Sequence, residues 1–141
     1  MKVFLDTNVW LSATVFAGLC EDIVLQCADR GWLASSAWVQ VEAHEVLLRK
    51  FPQQPAARDM FDAVWASAQC IDDVAEPADD ADVRLVSAAI QGKCAMFVTG
   101  DKRVLGWAIK PPKGVALGSL QIASPREAWA ALFGTPAPIA R

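Results

Sequence analysis

Apolar positions along this chain follow two patterns: short unbroken runs, and residues spaced three and four apart. Val3-Phe4-Leu5 is the first short run, and it stops at Asp6, Thr7 and Asn8. An apolar run that ends in a polar cluster reads as a buried parallel strand. Cys20, Ile23, Val24 and Cys27 repeat at helical spacing and predict an amphipathic helix that stops near Gly31. Trp32-Leu33-Ala34 reads as a second strand. Ser35 or Ser36 then caps a helix running to about Lys50, ended by Phe51-Pro52. Phe61, Val64, Trp65 and Ala68 return to helical spacing.

Cys70-Ile71 is a weak third strand, and the loop DDVAEPADDAD separates it from a helix over Asp82–Gln91 that Gly92 terminates. Ala95-Met96-Phe97-Val98 is the clearest strand, and it runs into Thr99-Gly100-Asp101. A last strand lies near Leu120–Ala123, and Ser124-Pro125 opens a final helix holding Ala128, Trp129 and Leu132. Short buried strands alternating with amphipathic helices predict an α/β fold with a mainly parallel central sheet covered on both faces. No linker or repeat breaks the chain, so residues 1–134 are expected to form one domain, followed by a frayed tail over 135–141.

Composition agrees with a packed domain: 141 residues, 54% hydrophobic and 21% charged. No stretch reaches the ~18–20 uninterrupted apolar residues of a membrane span, and Asp6 interrupts the N-terminal run too early for a signal peptide. A cytoplasmic protein with no membrane partner is the expectation. The four cysteines contain no CxxC pair and there is one histidine, so the sequence offers no zinc site; reduced, buried thiols are expected. His44 reads as a partly exposed surface residue with no Ser-His-Asp set around it, and Trp10 reads as core. Charge is uneven. Residues 1–92 carry 14 acidic and 6 basic side chains, a net of −8; residues 93–141 carry 7 basic and 2 acidic, a net of +5. An acidic centre with a basic rim of Lys102, Arg103, Lys110 and Lys113 would suit a nuclease that holds phosphate beside its own carboxylates.

Two strands share an ending, VFL-Asp6 and MFVTG-Asp101. In an open α/β sheet the ligand crevice lies beyond the carboxyl ends of the strands, where strand order reverses. If the two strands are neighbours there, their acids meet in one cleft. Glu42, on a stripe with Val39, Val46 and Arg49, and Asp82, at the start of a helix, can add to the group; Asp79 lies three residues before Asp82, while Glu45 and Asp80 are rivals. Crowded carboxylates raise one another's pKa. One or two Mg²⁺ or Mn²⁺ ions remove that conflict and activate water against a phosphodiester.

LDTNVW, the acid in VEAHEVLLR, the DDADVRLVSAA helix and FVTGDKRVL, in that order and over essentially the whole chain, resemble the PIN-domain family, in particular VapC-type ribonuclease toxins. The resemblance implies a three-layer α/β/α domain, an Mg²⁺- or Mn²⁺-dependent ribonuclease, a cognate antitoxin and often a homodimer. It implies Asp6, Glu42, Asp82 and Asp101 as the catalytic, metal-binding acids, with Thr7, Asn8, Thr99 and Asp79 supporting them. Arg49, Lys50, Lys102 and Arg103 are candidates for RNA phosphate contacts. The pattern departs at Arg103, where related sequences often carry an acid. That departure keeps a degenerate, non-catalytic RNA- or protein-binding module as an alternative reading. A metal-dependent phosphatase is a further alternative, although Asn8 stands where a haloacid-dehalogenase-like enzyme wants its second Asp.

Overall fold

The structure, a computed structural model, describes residues 1–75 and 78–134; the expected tail 135–141 lies outside them. The strands are β1 (Val3–Leu5), β2 (Leu33–Ser36), β3 (Gln69–Ile71), β4 (Met96–Val98) and β5 (Gln121–Ala123). The helices are α1 (Thr7–Val15), α2 (Leu19–Asp29), α3 (Ala37–Lys50), α4 (Pro55–Trp65), α5 (Ala81–Gln91), α6 (Lys102–Leu105) and α7 (Pro125–Phe133), with a 3-10 turn at Gly106–Ala108. All strand pairs are parallel, in the order β3-β2-β1-β4-β5. Helices cover the sheet to give a three-layer α/β/α fold, as the alternating pattern predicts. By the right-handed rule for parallel crossovers, the helices of the β1→β2→β3 connections belong on one face and α5, on the return connection, on the other. Consistently, α1 packs on α2, α3 and α4, while α5 lies against β4.

The central strands are apolar because they are buried on both faces: Val3, Phe4, Leu5, Phe97 and Val98 are all 0% exposed. Phe4 and Phe97, paired in register, stack at 5.6 Å. Each such side chain contributes ~1.5–3 kcal/mol of burial. Trp10 is fully buried and meets Phe61 of α4 edge-on at 5.3 Å.

Three local features differ from the sequence expectation. Helix α1 has no amphipathic stripe to reveal it, because Val9, Trp10, Leu11 and Ala13 are all buried and wrap most of its circumference. Strand β2 continues through Ser35 and Ser36, both buried, and Ser35 accepts a hydrogen bond from Trp65 Nε1 at 2.9 Å. Cys27 and Cys94 are buried and their thiols pushed up to about 11 by desolvation, but Cys70, on the edge strand β3, is exposed. Among the described residues no single helix is long and apolar enough to cross a membrane.

Candidate functional site

The reversal of strand order falls between β1 and β4, so the cleft predicted for an open α/β sheet opens beyond Leu5 and Val98. These two residues are register partners, and the Asp6 amide donates to the Val98 carbonyl at 2.9 Å. Asp6 therefore still belongs to the sheet. Its main chain starts α1, with Val9 N donating to Asp6 O at 2.9 Å, but its side chain makes no capping hydrogen bond. Instead Asp6 Oδ2 accepts from Thr99 Oγ1 at 2.9 Å, within a pocket that leaves Asp6 only 5% exposed. Thr99, fully buried at the end of β4, also accepts from the Asp101 amide at 3.1 Å.

Burial is the chief reason why the Asp6 carboxyl is pushed up to about 6; the Thr99 hydrogen bond opposes it, and the charges of Asp82 and Glu42 add to it. Glu42, half-buried on α3, is also raised, first by desolvation and then by Asp82 and Glu45, with Thr7 acting in the opposite direction. Asp6, Glu42 and Asp82 thus repel one another across the cleft from three different elements. No cationic side chain among the described residues offsets the charge of Asp6.

The remaining acids have other engagements. Asp80 caps α5, with Oδ1 accepting from Asp82 N at 2.9 Å and Val83 N at 3.2 Å. Arg103 spans the gap between α6 and α5. Its guanidinium donates to both Asp80 oxygens, at 2.9 and 3.2 Å, and to Asp82 Oδ2 at 2.7 Å, and it lies 5.0 Å from the Trp107 ring. That pairing holds the Asp80 carboxyl below its ordinary range. Asp101 is exposed and caps α6 by accepting from Arg103 N at 2.8 Å. Glu45 is exposed and pairs with Arg49 at 3.8 Å, so Glu42, not Glu45, faces the cleft acids.

Of the supporting residues, Thr99 orients Asp6 directly. Thr7 is buried beside Glu42, close enough to lower its pKa, yet Thr7 Oγ1 makes no hydrogen bond of normal geometry. Asn8 is exposed, facing the space between α1, Ser12 and Gly100. Asp79 is exposed and precedes α5. Lys102 is exposed beside Asp101, whereas Arg49 and Lys50 lie at the end of α3, two turns beyond Glu42 and ~10–12 Å along the helix axis. His44 pairs with Asp62 of α4 at 2.5 Å and takes no part in the cleft.

An all-oxygen donor set of carboxylates and hydroxyls is the chemistry that Mg²⁺ and Mn²⁺ select. Two features fit such a cation: a buried carboxylate without a cationic partner, and the orphaned Thr7 hydroxyl next to Glu42. As the side chains stand, no group of three or more Asp, Glu, His or Cys among the described residues is drawn together closely enough to hold a metal ion. Arg103 contributes to that spacing, since it holds Asp82 against Asp80. The bridge from Arg103 to Asp80 and Asp82 joins residues 23 and 21 apart in sequence, and no local motif predicts it. Comparison of the chain with protein-family models and with curated proteins finds no match.

Proposed function

We propose that this chain is a cytoplasmic Mg²⁺- or Mn²⁺-dependent endoribonuclease of the PIN kind, the toxin of a toxin–antitoxin pair. One observation carries the reading: Asp6, buried and without a cationic partner at the switch point of a parallel sheet, lies within electrostatic reach of Glu42 and Asp82 from two other elements. A structural role alone gives no reason to concentrate negative charge there.

Asp6, Glu42 and Asp82 would hold the cation, which when bound polarises the phosphoryl oxygen and lowers the pKa of water. The chain's own residues do the rest. Thr99 fixes the direction of the Asp6 carboxylate, and its hydrogen bond favours the ionised form against the upward push of burial. Asp101 orders the first turn of α6, which sets Lys102 and Arg103 at the rim; Lys102 can meet backbone phosphates as it stands, and Arg103 on leaving Asp80 and Asp82. Single-stranded RNA suits the site, because an unpaired strand can bring its phosphate down to acids at a sheet edge. A cognate antitoxin and a homodimer accompany this reading.

The test is cleavage of single-stranded RNA by the full chain with Mn²⁺, with EDTA, and by Asp6→Asn. Cleavage that needs Mn²⁺ and is lost in the variant is the expected result; undiminished cleavage by Asp6→Asn overturns the mechanism. Turnover of small phosphoesters without cleavage of RNA would point to a phosphatase. The Arg103 bridge to Asp80 and Asp82 favours a second reading, a non-catalytic binding module in which the chain's own guanidinium, at the rim, stands in place of a metal. Absence of Mn²⁺ binding at millimolar concentration would raise it above the enzyme reading.

A further inference from the structure

Trp38 stands apart from the other tryptophans. Trp10 meets Phe61, Trp32 and Trp129 both meet Phe133, Trp107 lies under Arg103, and Trp65 donates to Ser35. Among the described residues Trp38 has neither a ring partner nor a hydrogen bond, although its ring is half-buried against the core. A cavity of about 90 Å³ opens beside it, lined by Trp38, Asp73, Val74, Arg84 and Leu85.

Position decides what this cavity can serve. Trp38 precedes Glu42 by four residues on α3, so the two share one helix face. Arg84 and Leu85 follow Asp82 by two and three residues on α5. The cavity is therefore built on the same two helices that bring Glu42 and Asp82 to the cleft. Its walls combine a flat aromatic ring, two aliphatic side chains, one carboxylate and one guanidinium. Arg84 Nε is tied to the Ala78 carbonyl, which anchors the side chain and leaves its terminal nitrogens unpaired among the described residues. A neutral planar heterocycle matches this lining: its face stacks on the indole, and its edge offers acceptors to Arg84 and donors to Asp73. Bare phosphate matches it less well, since Asp73 and the neighbouring acids repel it.

We propose that the Trp38 cavity is a nucleobase subsite, taking a base next to the phosphate that is cut in single-stranded RNA, with Trp38 as the stacking platform. This rests on the ribonuclease reading above. Base-on-aromatic stacking tolerates every base and leaves sequence preference to the edge contacts. Trp38 would thus set how firmly the strand is held, and Asp73 and Arg84 which bases are preferred.

The experiment measures binding of a short single-stranded oligoribonucleotide to the full chain in EDTA, where the strand stays intact. A second probe is an oligomer of equal length made wholly of abasic residues. Trp38→Ala should weaken binding of the normal oligomer roughly ten-fold and leave the abasic one unchanged. Trp38→Phe, which keeps a stacking ring, should retain most of the affinity but lose the part of the RNA-induced fluorescence quench that comes from Trp38. Equal binding by Trp38→Ala and wild type overturns the proposal. So does a quench that is undiminished in Trp38→Phe, the readout that decides if the alanine variant fails to fold. Failure of the subsite and failure of the ribonuclease reading are separable. Mn²⁺-dependent cleavage with Trp38-independent binding removes only the subsite, whereas Trp38-dependent binding without cleavage removes the nuclease and, with it, the subsite's place beside a cut phosphate, leaving a base-stacking site.

Discussion

Two adjacent strands end in an aspartate, and the two aspartates have opposite fates. Leu5 and Val98 are register partners, so Asp6, one residue past β1, sits level with Thr99, while Asp101 stands two residues further out. At the level of Thr99 the backbone is still tied to the sheet and walled by helices, and the carboxylate is buried. Two residues beyond, the chain has turned into α6, and the exposed carboxylate caps that helix. An aspartate's distance from the last paired residue, not its presence after an apolar run, separates a buried carboxyl with a raised pKa from an ordinary cap.

The largest effect expected from this contrast concerns activity. Asp6→Asn should reduce Mn²⁺-dependent RNA cleavage by roughly 100-fold or more, since even outer partners of a metal centre cost about 10–100-fold. Asp101→Asn should stay within about three-fold of wild type, because asparagine caps a helix as well as aspartate does. Single-turnover cleavage rates of the two variants compare them directly. Equal, large losses would make Asp101 a partner of Asp6 and remove the distinction.

Stability should move the other way. Folded Asp6 keeps its proton up to about pH 6, whereas the unfolded chain releases it near 3.8. Between those values the folded state binds more protons, so wild-type stability falls as pH rises through that window. Asp6→Asn removes the penalty. In EDTA above about pH 7 it should be more stable by about 3 kcal/mol, a gain that vanishes below about pH 4. Asp101→Ala, which loses a cap, should cost about 1 kcal/mol. Thermal unfolding at both pH values checks each sign.

Thr99→Val tests the link between the two strand ends. It removes the donor to Asp6 and the acceptor for the Asp101 amide in one step. A loss of about 1–2 kcal/mol is expected. Since the Thr99 hydrogen bond lowers the Asp6 pKa, the acid limb of the pH–rate profile should also move to higher pH. The smallest effect belongs to Arg103→Gln. Its ion pairs are about half exposed and worth ~0–1 kcal/mol, so stability should barely change. Freed of its partner, Asp82 should raise Mn²⁺ affinity several-fold by calorimetry; unchanged affinity would mean that Arg103 does not compete with the cation.

Much of this arrangement was legible in the sequence, for identifiable reasons. The apolar runs ending at Asp6 and in Thr99-Gly100-Asp101 marked two strand ends, and helical spacing placed Glu42 and Asp82 on elements able to reach them. Burial on both faces made β1 and β4 readable. Helix α1 was hidden for the same physical reason, because its apolar residues leave no polar face to set a period. The choice between Asp6 and Asp101 was encoded as well, in the two extra residues Thr99-Gly100, but its meaning depends on the register between strands far apart in sequence. The Arg103 bridge depends on how α5 and α6 come together, and the cavity beside Trp38 on how α3 and α5 are placed; neither leaves a local pattern.

The central claim, that Asp6, Glu42 and Asp82 form the cation site while Asp101 is a cap, is tested most directly by anomalous diffraction from crystals soaked in Mn²⁺. A manganese peak bounded by the carboxylates of Asp6, Glu42 and Asp82, and absent from Asp6→Asn crystals, is the predicted result. A peak on Asp101 with none at Asp6, or no peak at either strand end, would contradict it.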